Sequence, residues 1–297
     1  MPRVAANGME LYYEALGQGE PLVLVMGVGA QLLYWPDGFC EQLADRGFEV
    51  VRFDNRDVGL SGKCGGAKVP PLPKMVAGAL LGLPLDVPYT LADMADDTAG
   101  LVTALGHERA HVVGVSMGGM IAQTVAIRHP DRLLSLTSIM SHPGDRRFMV
   151  GQPKALRVLL GKPPRTREEA ADRAEAFYRA VNGKRFPLDV DMVRTRSARA
   201  FDRCFYPPGF ARHMGAILAS GSRTAALRHV AVPSLVVHGS DDPLIRPAGG
   251  RATARAIPGA RFELIAGMGH ELPEGVWRPV IDAITAHARR ASETRRR

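Results

Sequence analysis

Short apolar runs alternate with longer segments of helical character along most of this chain. The continuous apolar runs are typical of strands that are buried on both faces of a parallel sheet. Such strands are predicted over 21–26, 48–53, 110–115, 133–140, 233–238 and 261–265. Residues 3–6 and 10–14 alternate loosely around Asn7-Gly8 and predict a hairpin ahead of them.

Helical segments separate these strands. They are predicted over 36–46, 90–105, 117–128, 248–256 and 275–290. Thr90 is a good N-cap for its helix, and Asp93 makes the first turn acidic. Residues 62–89 are the least regular part, and their apolar middle, 75–83, predicts a short helix over the entrance to the site. This alternation predicts an α/β fold with a mostly parallel sheet flanked by helices.

The pattern changes between residues 143 and 229. Strand-like runs vanish there, and helical segments rich in Arg and Ala take over at 167–181, 190–200 and 210–219. We therefore predict a helical cap, residues 143–229, inserted into one core formed by residues 1–142 and 230–297.

Composition narrows the class of protein. Hydrophobic residues make up 46% of the chain and charged residues 23%, which is ordinary for a globular enzyme. No run approaches the roughly 18 apolar residues of a membrane span, and the N-terminus lacks the apolar segment of a secretory signal. We therefore expect a soluble, cytoplasmic protein without a membrane partner.

The charge and the cysteines add two expectations. The formal net charge is +8, but the basic residues concentrate between 146 and 228 and at the C-terminus, without a basic stripe interleaved with aromatics. We therefore expect no nucleic-acid partner. Three cysteines, Cys40, Cys64 and Cys204, are widely spaced and form no C-x-x-C pair, so neither a metal site nor a disulfide framework is predicted.

Residues 111–121, HVVGVSMGGMI, contain the strongest functional motif. They place G-x-S-x-G between a predicted strand and a predicted helix, the context in which this motif exposes a nucleophilic serine on a sharp turn. Such a turn requires neighbours without Cβ atoms, and Gly114 and Gly118 meet that requirement. Ser116 is therefore the candidate nucleophile.

Two later loops supply the partners that a serine nucleophile needs. Asp241 and Asp242 follow the strand 233–238, and His270 follows the strand 261–265. This order of Ser, Asp and His is that of the α/β-hydrolase triad. His270 would act as the base, and a carboxylate would fix its tautomer. Both aspartates are candidates, and Asp242 is favoured because Pro243 pins the turn beside it.

Backbone N–H groups would stabilise the oxyanion that forms during attack on an ester. Met117, directly after the nucleophile, is one predicted donor, and Val28, in a glycine-rich loop after the strand 21–26, is the other. Five residues near the proposed site are predicted to line the substrate pocket, although methionines are equally expected as core filler. These are Gly27, Gly29, Trp35, Met140 and Met268.

These motifs resemble those of the α/β-hydrolase superfamily, and the resemblance covers nearly the whole chain. Residues 54–61, DNRDVGLS, are similar to the family's D-x-R-x-x-G-x-S loop. The chain looks most like the cap-bearing esterases of the group that includes aclacinomycin methylesterase. It departs from the pattern at Met26-Gly27, where many relatives have His-Gly. That departure removes a side chain that often braces the oxyanion loop, but it leaves the backbone donors.

The resemblance implies hydrolysis of a small-molecule carboxylic ester through an acyl-enzyme, without a cofactor or a metal. Two alternatives stay open. One is a cofactor-free perhydrolase or haloperoxidase-like enzyme that uses the same triad. The other is a non-catalytic ligand-binding protein on this fold, which the availability of Ser, Asp and His disfavours.

Overall fold

A computed structural model describes residues 2–149 and 151–296 of the chain. In this part of the chain, eight strands form one sheet in the order β1-β2-β4-β3-β5-β6-β7-β8. The strands are β1 (Arg3–Ala6), β2 (Met9–Leu16), β3 (Glu20–Val25), β4 (Phe48–Phe53), β5 (Ala110–Val115), β6 (Leu133–Ile139), β7 (Ser234–Gly239) and β8 (Arg261–Ile265). The hairpin strands β1 and β2 pair in antiparallel fashion, and every pair from β4 to β8 is parallel. The predicted α/β fold with a mostly parallel sheet is confirmed.

Helices cover both faces of this sheet. The helices outside the region between β6 and β7 are α1 (Asp37–Ala44), α2 (Leu72–Leu81), α3 (Leu91–Ala104), α4 (Met117–Arg128), α10 (Pro247–Ala256) and α11 (Glu274–Arg296). None of the helices in the described part of the chain is both long enough and apolar enough to cross a bilayer. Arg297, the end of the basic C-terminus, lies outside the described residues.

The uninterrupted apolar sequence of strand β3 follows from its burial on both faces of the sheet. Leu22 and Leu24 pack into the core between the sheet and the helices α1 and α11. Val23 and Val25 pack into the opposite core, against α3 and α4. All four side chains are fully buried, and each such side chain contributes about 1.5–3 kcal/mol to folding. The alternation of side chains along a strand thus gives one short run two hydrophobic cores to fill.

The chain between β6 and β7 contains helices and, among its described residues, no strand. The α-helices in this region are α5 (Pro153–Leu159), α6 (Arg167–Val181), α7 (Val190–Arg203), α8 (Pro207–Ser220) and α9 (Thr224–Leu227). We call residues 143–229 the helical insert. It contacts loops at the carboxyl ends of two strands. The amide of Gln31, after β3, donates to Ala200 O, and the backbone N–H of His270, after β8, donates to Val181 O.

Several helices differ from the sequence-based expectation in extent, among them α2, α8 and α11, and two others were not predicted. Helix α2 begins three residues earlier than predicted, because Pro73 is tolerated in the first turn of a helix. It ends where Gly82 adopts a φ of 74°. The short helices α5 and α9 were not predicted, since neither has the length or periodicity that marks a helix in a sequence.

The close packing of α4 on β3 leads to a prediction about stability. A Cβ on Gly118 would lie 2.0 Å from the carbonyl oxygen of Val25, a backbone atom that has no freedom to move aside. Gly118→Ala should therefore lower the free energy of unfolding by about 1–3 kcal/mol, the usual cost of overpacking a core. Urea denaturation of the purified variants measures this loss.

Gly65→Ala is the matched control, because a Cβ on Gly65 meets no atom within 4 Å. It should change the free energy of unfolding by less than about 0.5 kcal/mol. Equal denaturation midpoints for the two variants would contradict the packing described for α4.

Candidate active site

Ser116 occupies a sharp turn between β5 and α4. Its backbone has a φ of 55° and a ψ of −119°, a strained conformation for a residue with a side chain. Its N–H donates to Ile139 O over 3.0 Å, which ties the turn to β6. A Cβ on Gly114 would lie 2.0 Å from Gly118 O, so the strand and the helix approach closely only because both residues are glycines. The turn leaves the Ser116 side chain half-buried at the end of the strand.

His270 and Asp242 extend a chain of hydrogen bonds from Ser116. The Oγ atom of Ser116 lies 3.1 Å from His270 Nε2, and His270 Nδ1 lies 2.7 Å from Asp242 Oδ2. The other carboxylate oxygen, Oδ1, accepts the N–H groups of Leu244 and Ile245 at 2.9 and 2.8 Å. These backbone bonds orient the carboxylate, so that its Oδ2 faces the imidazole. The structure thus brings Ser116, Asp242 and His270 together.

The surroundings of Asp242 keep it ionised. Burial raises the pKa of this carboxyl group, but the neighbouring His270 and His238 outweigh burial and lower the pKa to about 2. His238 Nε2 lies 3.4 Å from Asp242 Oδ2 and 2.8 Å from Ile245 O. Because the Asp242 carboxylate only accepts hydrogen bonds, His270 Nδ1 carries a proton. In neutral His270 the Nε2 atom is then free to accept a proton from Ser116.

Asp241, the second candidate for the acid, has other partners. Its Oδ1 accepts the Ser240 hydroxyl at 2.8 Å, and its Oδ2 accepts the N–H of Lys184, in the helical insert, at 3.3 Å. The geometry therefore joins Asp242, and not Asp241, to His270.

The two predicted oxyanion donors lie beside Ser116. Met117 follows it as the first residue of α4, and Val28 follows Gly27, where a Cβ would lie 3.4 Å from Ser116 Cβ. In residues 2–149 and 151–296 neither N–H has a hydrogen-bond acceptor. The adjacent Gly29 N–H, in contrast, donates to His213 Nδ1 at 3.1 Å. Within the described residues, the N–H groups of Val28 and Met117 are therefore free to bind an oxyanion.

A cavity of about 1380 Å³ opens at Ser116 and His270. The predicted pocket residues Gly27, Gly29 and Met140 line it, and Val28 does as well. Much of its remaining wall is apolar and comes from α2 and the helical insert, with Leu72, Met75, Phe177, Phe201, Phe210 and Met214 among the lining residues. In the part of the chain that the structure describes, no group of three or more His, Cys, Asp or Glu side chains is arranged to hold a metal ion. The size and lining of the cavity suit a bulky, mainly apolar organic ligand.

Two residues predicted to line the pocket do not do so. Trp35 and Met268 are fully buried in the core cluster that contains Phe39. Trp35 stacks on Phe39 with ring centroids 5.6 Å apart. The prediction was wrong for these two residues because proximity to the site in sequence does not fix the side of the loop on which a large apolar side chain lies.

The loop after β4 is a structural brace. Asp54 is fully buried, and its two carboxylate oxygens accept the N–H groups of Leu32 and Leu60, both at 2.8 Å. It also pairs with Arg203 of α7 at 2.7 Å. Arg56 forms a separate buried pair with Asp97, in which both oxygens accept at 2.6 Å. The bond from Leu32 to Asp54 thus holds the loop after β3, which carries Val28, and the Arg56–Asp97 pair ties the loop after β4 to α3.

Comparison with known proteins places this geometry in a family. A family model described as alpha/beta hydrolase fold matches residues 20–274. The chain belongs to the α/β hydrolase fold family. Rhodomycin D methylesterase DnrP of Streptomyces peucetius is 32% identical to this α/β hydrolase, and the aligned region covers 97% of this chain and 98% of the relative. The corresponding methylesterase DauP of Streptomyces sp. (strain C5) is 31% identical over the same shares.

Solved structures show the same fold. A meta-cleavage product hydrolase (CumD) from Pseudomonas fluorescens IP01 superposes with a TM-score of 0.78 over 98% of both chains, at 17% identity. The enol-lactonase from Burkholderia xenovorans LB400 superposes with a TM-score of 0.69 at 26% identity, over 96% of this α/β hydrolase and 100% of that chain.

Sequence reasoning missed several polar residues at the site, two of which come from the helical insert. His213 and Arg203 contact the loops after β3 and β4. Glu271, beside His270, lines the cavity, and burial raises its pKa to about 7 although Arg196 lies close enough to oppose that rise. No motif marks His213 or Arg203, because their contacts with the core form only when the insert packs on it.

The ionised state of Asp242 generates a testable pH dependence. A folded-state pKa of about 2, against 3.8 when unfolded, stabilises the fold fully above pH 3.8, and this stabilisation is lost as the pH falls towards 2. The shift corresponds to about 2 kcal/mol. Between pH 5 and pH 2 the wild type should therefore lose about 2 kcal/mol more stability than Asp242→Asn.

Urea denaturation at a series of pH values measures this difference for both proteins. Parallel stability curves between pH 5 and pH 2 would show that the Asp242 carboxylate is not stabilised by its histidine neighbours.

Proposed function

We propose that this α/β hydrolase is a serine carboxylesterase that cleaves a small-molecule ester through an acyl-enzyme. The observation that carries the proposal is the chain of contacts from Ser116 Oγ to His270 Nε2, at 3.1 Å, and from His270 Nδ1 to Asp242 Oδ2, at 2.7 Å. Such a chain activates a hydroxyl that is otherwise a poor nucleophile near neutral pH. Similarity to two methylesterases over nearly the whole chain supports the same activity.

In the acylation half, His270 Nε2 takes the proton of Ser116 as Oγ attacks the ester carbonyl carbon. The carbonyl oxygen becomes negatively charged and is stabilised by the N–H groups of Val28 and Met117. The Asp242 carboxylate stabilises the imidazolium without taking its proton. The bond from carbon to the ester oxygen then breaks, and His270 returns the proton to the leaving alkoxide. The alcohol departs, and the acyl group stays on Ser116.

In the deacylation half, water replaces the alcohol. His270 Nε2 accepts a proton from the attacking water, and the same two N–H groups stabilise the second oxyanion. The bond from carbon to Ser116 Oγ breaks, and His270 protonates that oxygen. The carboxylic acid leaves, and the enzyme returns to its starting state.

The cavity and the relatives together suggest the substrate class. We propose a methyl ester, or another ester of a small alcohol, on a large and mainly apolar acid. The names of the relatives describe methylesterases that act on rhodomycin D, and the cavity of about 1380 Å³ with its apolar wall has room for a large, mainly apolar ligand. Residues 143–229 supply much of this wall, and we propose that they act as a cap that selects the acyl group.

Substitutions in the contact chain test the proposal. Ser116→Ala should lower kcat for p-nitrophenyl esters by on the order of 10⁶-fold, because it removes the nucleophile. Asp242→Asn should lower kcat by on the order of 10⁴-fold, because it favours the wrong tautomer of His270. Asp241→Asn is the matched control and should leave kcat within about threefold, since Asp241 makes no contact with His270.

Steady-state kinetics on variants with wild-type circular dichroism measures these effects. Ester turnover that survives in Ser116→Ala would contradict the assignment of the nucleophile, and an equal loss in Asp241→Asn would contradict the assignment of the acid. A fluorophosphonate probe that fails to label Ser116 would favour the non-catalytic alternative. Peracid formed from hydrogen peroxide faster than the ester is hydrolysed would favour the perhydrolase alternative.

A further inference from the structure

His213 joins the helical insert to the loop that carries Val28. It lies in α8 and is fully buried. Its Nδ1 lies 3.1 Å from the N–H of Gly29, and its Nε2 lies 2.8 Å from the carbonyl oxygen of Arg56. An amide N–H only donates and a carbonyl only accepts, so the proton of the imidazole is on Nε2 and the lone pair is on Nδ1. The ring thus links the loops after β3 and β4 in one orientation.

The charge state of His213 agrees with this geometry. Burial lowers the pKa of the imidazole to about 4, against a smaller opposing effect of its bond to Arg56 O. The ring is therefore neutral at neutral pH, and Nδ1 keeps the lone pair that accepts the N–H of Gly29. A protonated ring would instead direct a second N–H at the N–H of Gly29.

The contact restrains the peptide next to the proposed oxyanion donor. Gly29 directly follows Val28 and has a φ of 65°. A Cβ on Gly29 would lie 2.8 Å from Cδ2 of Phe210, which lies one turn before His213 in α8. One face of α8 therefore holds Gly29 by a hydrogen bond and by close packing. A rotation of this peptide would also move the Val28 N–H, whose direction oxyanion stabilisation requires.

We propose that His213 is a positioning residue for the oxyanion hole, acting through Gly29 on the N–H of Val28. This inference rests on the proposed function. On this proposal the helical insert orients an oxyanion donor in addition to lining the pocket. The Val28 N–H stabilises the oxyanion fully only when α8 is packed against Gly29.

Other contacts keep the loop in place when His213 is replaced. The amide of Gln31 donates to Ala200 O and Cys204 O at 2.6 and 2.8 Å, and Asp54 accepts the N–H of Leu32 at 2.8 Å. We therefore expect His213 variants to fold, with the local change concentrated at residues 27–29.

Three substitutions at His213 distinguish a specific role in positioning Gly29 from a general structural role. In His213→Asn the side-chain oxygen takes the place of Nδ1 and accepts the N–H of Gly29. His213→Gln places its amide near the position of Nε2, where it donates to Arg56 O but leaves Gly29 without an acceptor. His213→Leu removes both bonds. We expect kcat for a p-nitrophenyl ester to fall about 10- to 100-fold in the Gln and Leu variants, less than the loss of an entire oxyanion donor.

The expected signature is a loss in kcat with KM within about threefold, since the oxyanion forms only after binding. His213→Asn should keep kcat within about threefold of the wild type. The affinity for a phenylboronic acid, whose tetrahedral adduct on Ser116 places an oxygen in the hole, should fall in parallel with kcat/KM. Equal kcat losses in all three variants, or a rise in KM at constant kcat, would overturn the proposal.

Hydrogen exchange of the peptide that contains residues 27–29 gives a readout that does not depend on turnover. We expect faster exchange in the Gln and Leu variants and unchanged exchange in His213→Asn. If the wild type hydrolyses no ester, the proposed function fails, and the exchange data still report whether His213 holds Gly29. Unchanged exchange in all three variants would overturn the positioning role, whatever the ester kinetics show.

Discussion

Backbone atoms of β3, β5 and α4 meet around Ser116 more closely than side chains permit. Gly114 and Gly118 make that approach possible, since a Cβ on either would lie 2.0 Å from a carbonyl oxygen. The crossing sets the strained φ of 55° at Ser116 and holds its hydroxyl at the end of the sheet. The loops after β7 and β8 then need only reach the same edge to place Asp242 and His270 within hydrogen-bond distance. Parallel strands ensure this, because their carboxyl ends share one edge.

The helical insert contributes to the site together with the loops at the end of the sheet. It supplies much of the cavity wall, and it also forms hydrogen bonds and an ion pair with the loops around the proposed catalytic residues. Val181 O accepts the N–H of His270, and Arg203 pairs with the buried Asp54 behind the loop after β3. His213 adds the contact to Gly29. The core and the insert therefore build the site together. On the proposed function, changes in the packing of the insert should alter the rate of ester hydrolysis as well as the choice of substrate.

The parts that the sequence predicted correctly are those with a local physical signal. Buried parallel strands require unbroken apolar runs, and the turn at Ser116 requires glycines two residues away on each side. The sequence also favoured Asp242, and the structure places it beside His270. The errors concern tertiary contacts. Trp35 and Met268 lie in the core, and the role of His213 depends on packing between elements more than 180 residues apart in the chain.

In the mechanism we propose, Ser116 carries the acyl group during ester hydrolysis. Rapid quenching of a reaction with a p-nitrophenyl ester, followed by mass spectrometry of the intact protein and its peptides, tests this directly. We expect a transient mass increase equal to the acyl group, located on the peptide that contains Ser116 and absent in Ser116→Ala. A burst of p-nitrophenol without an acyl adduct on the protein would contradict this mechanism. An adduct on a residue other than Ser116 would contradict it as well.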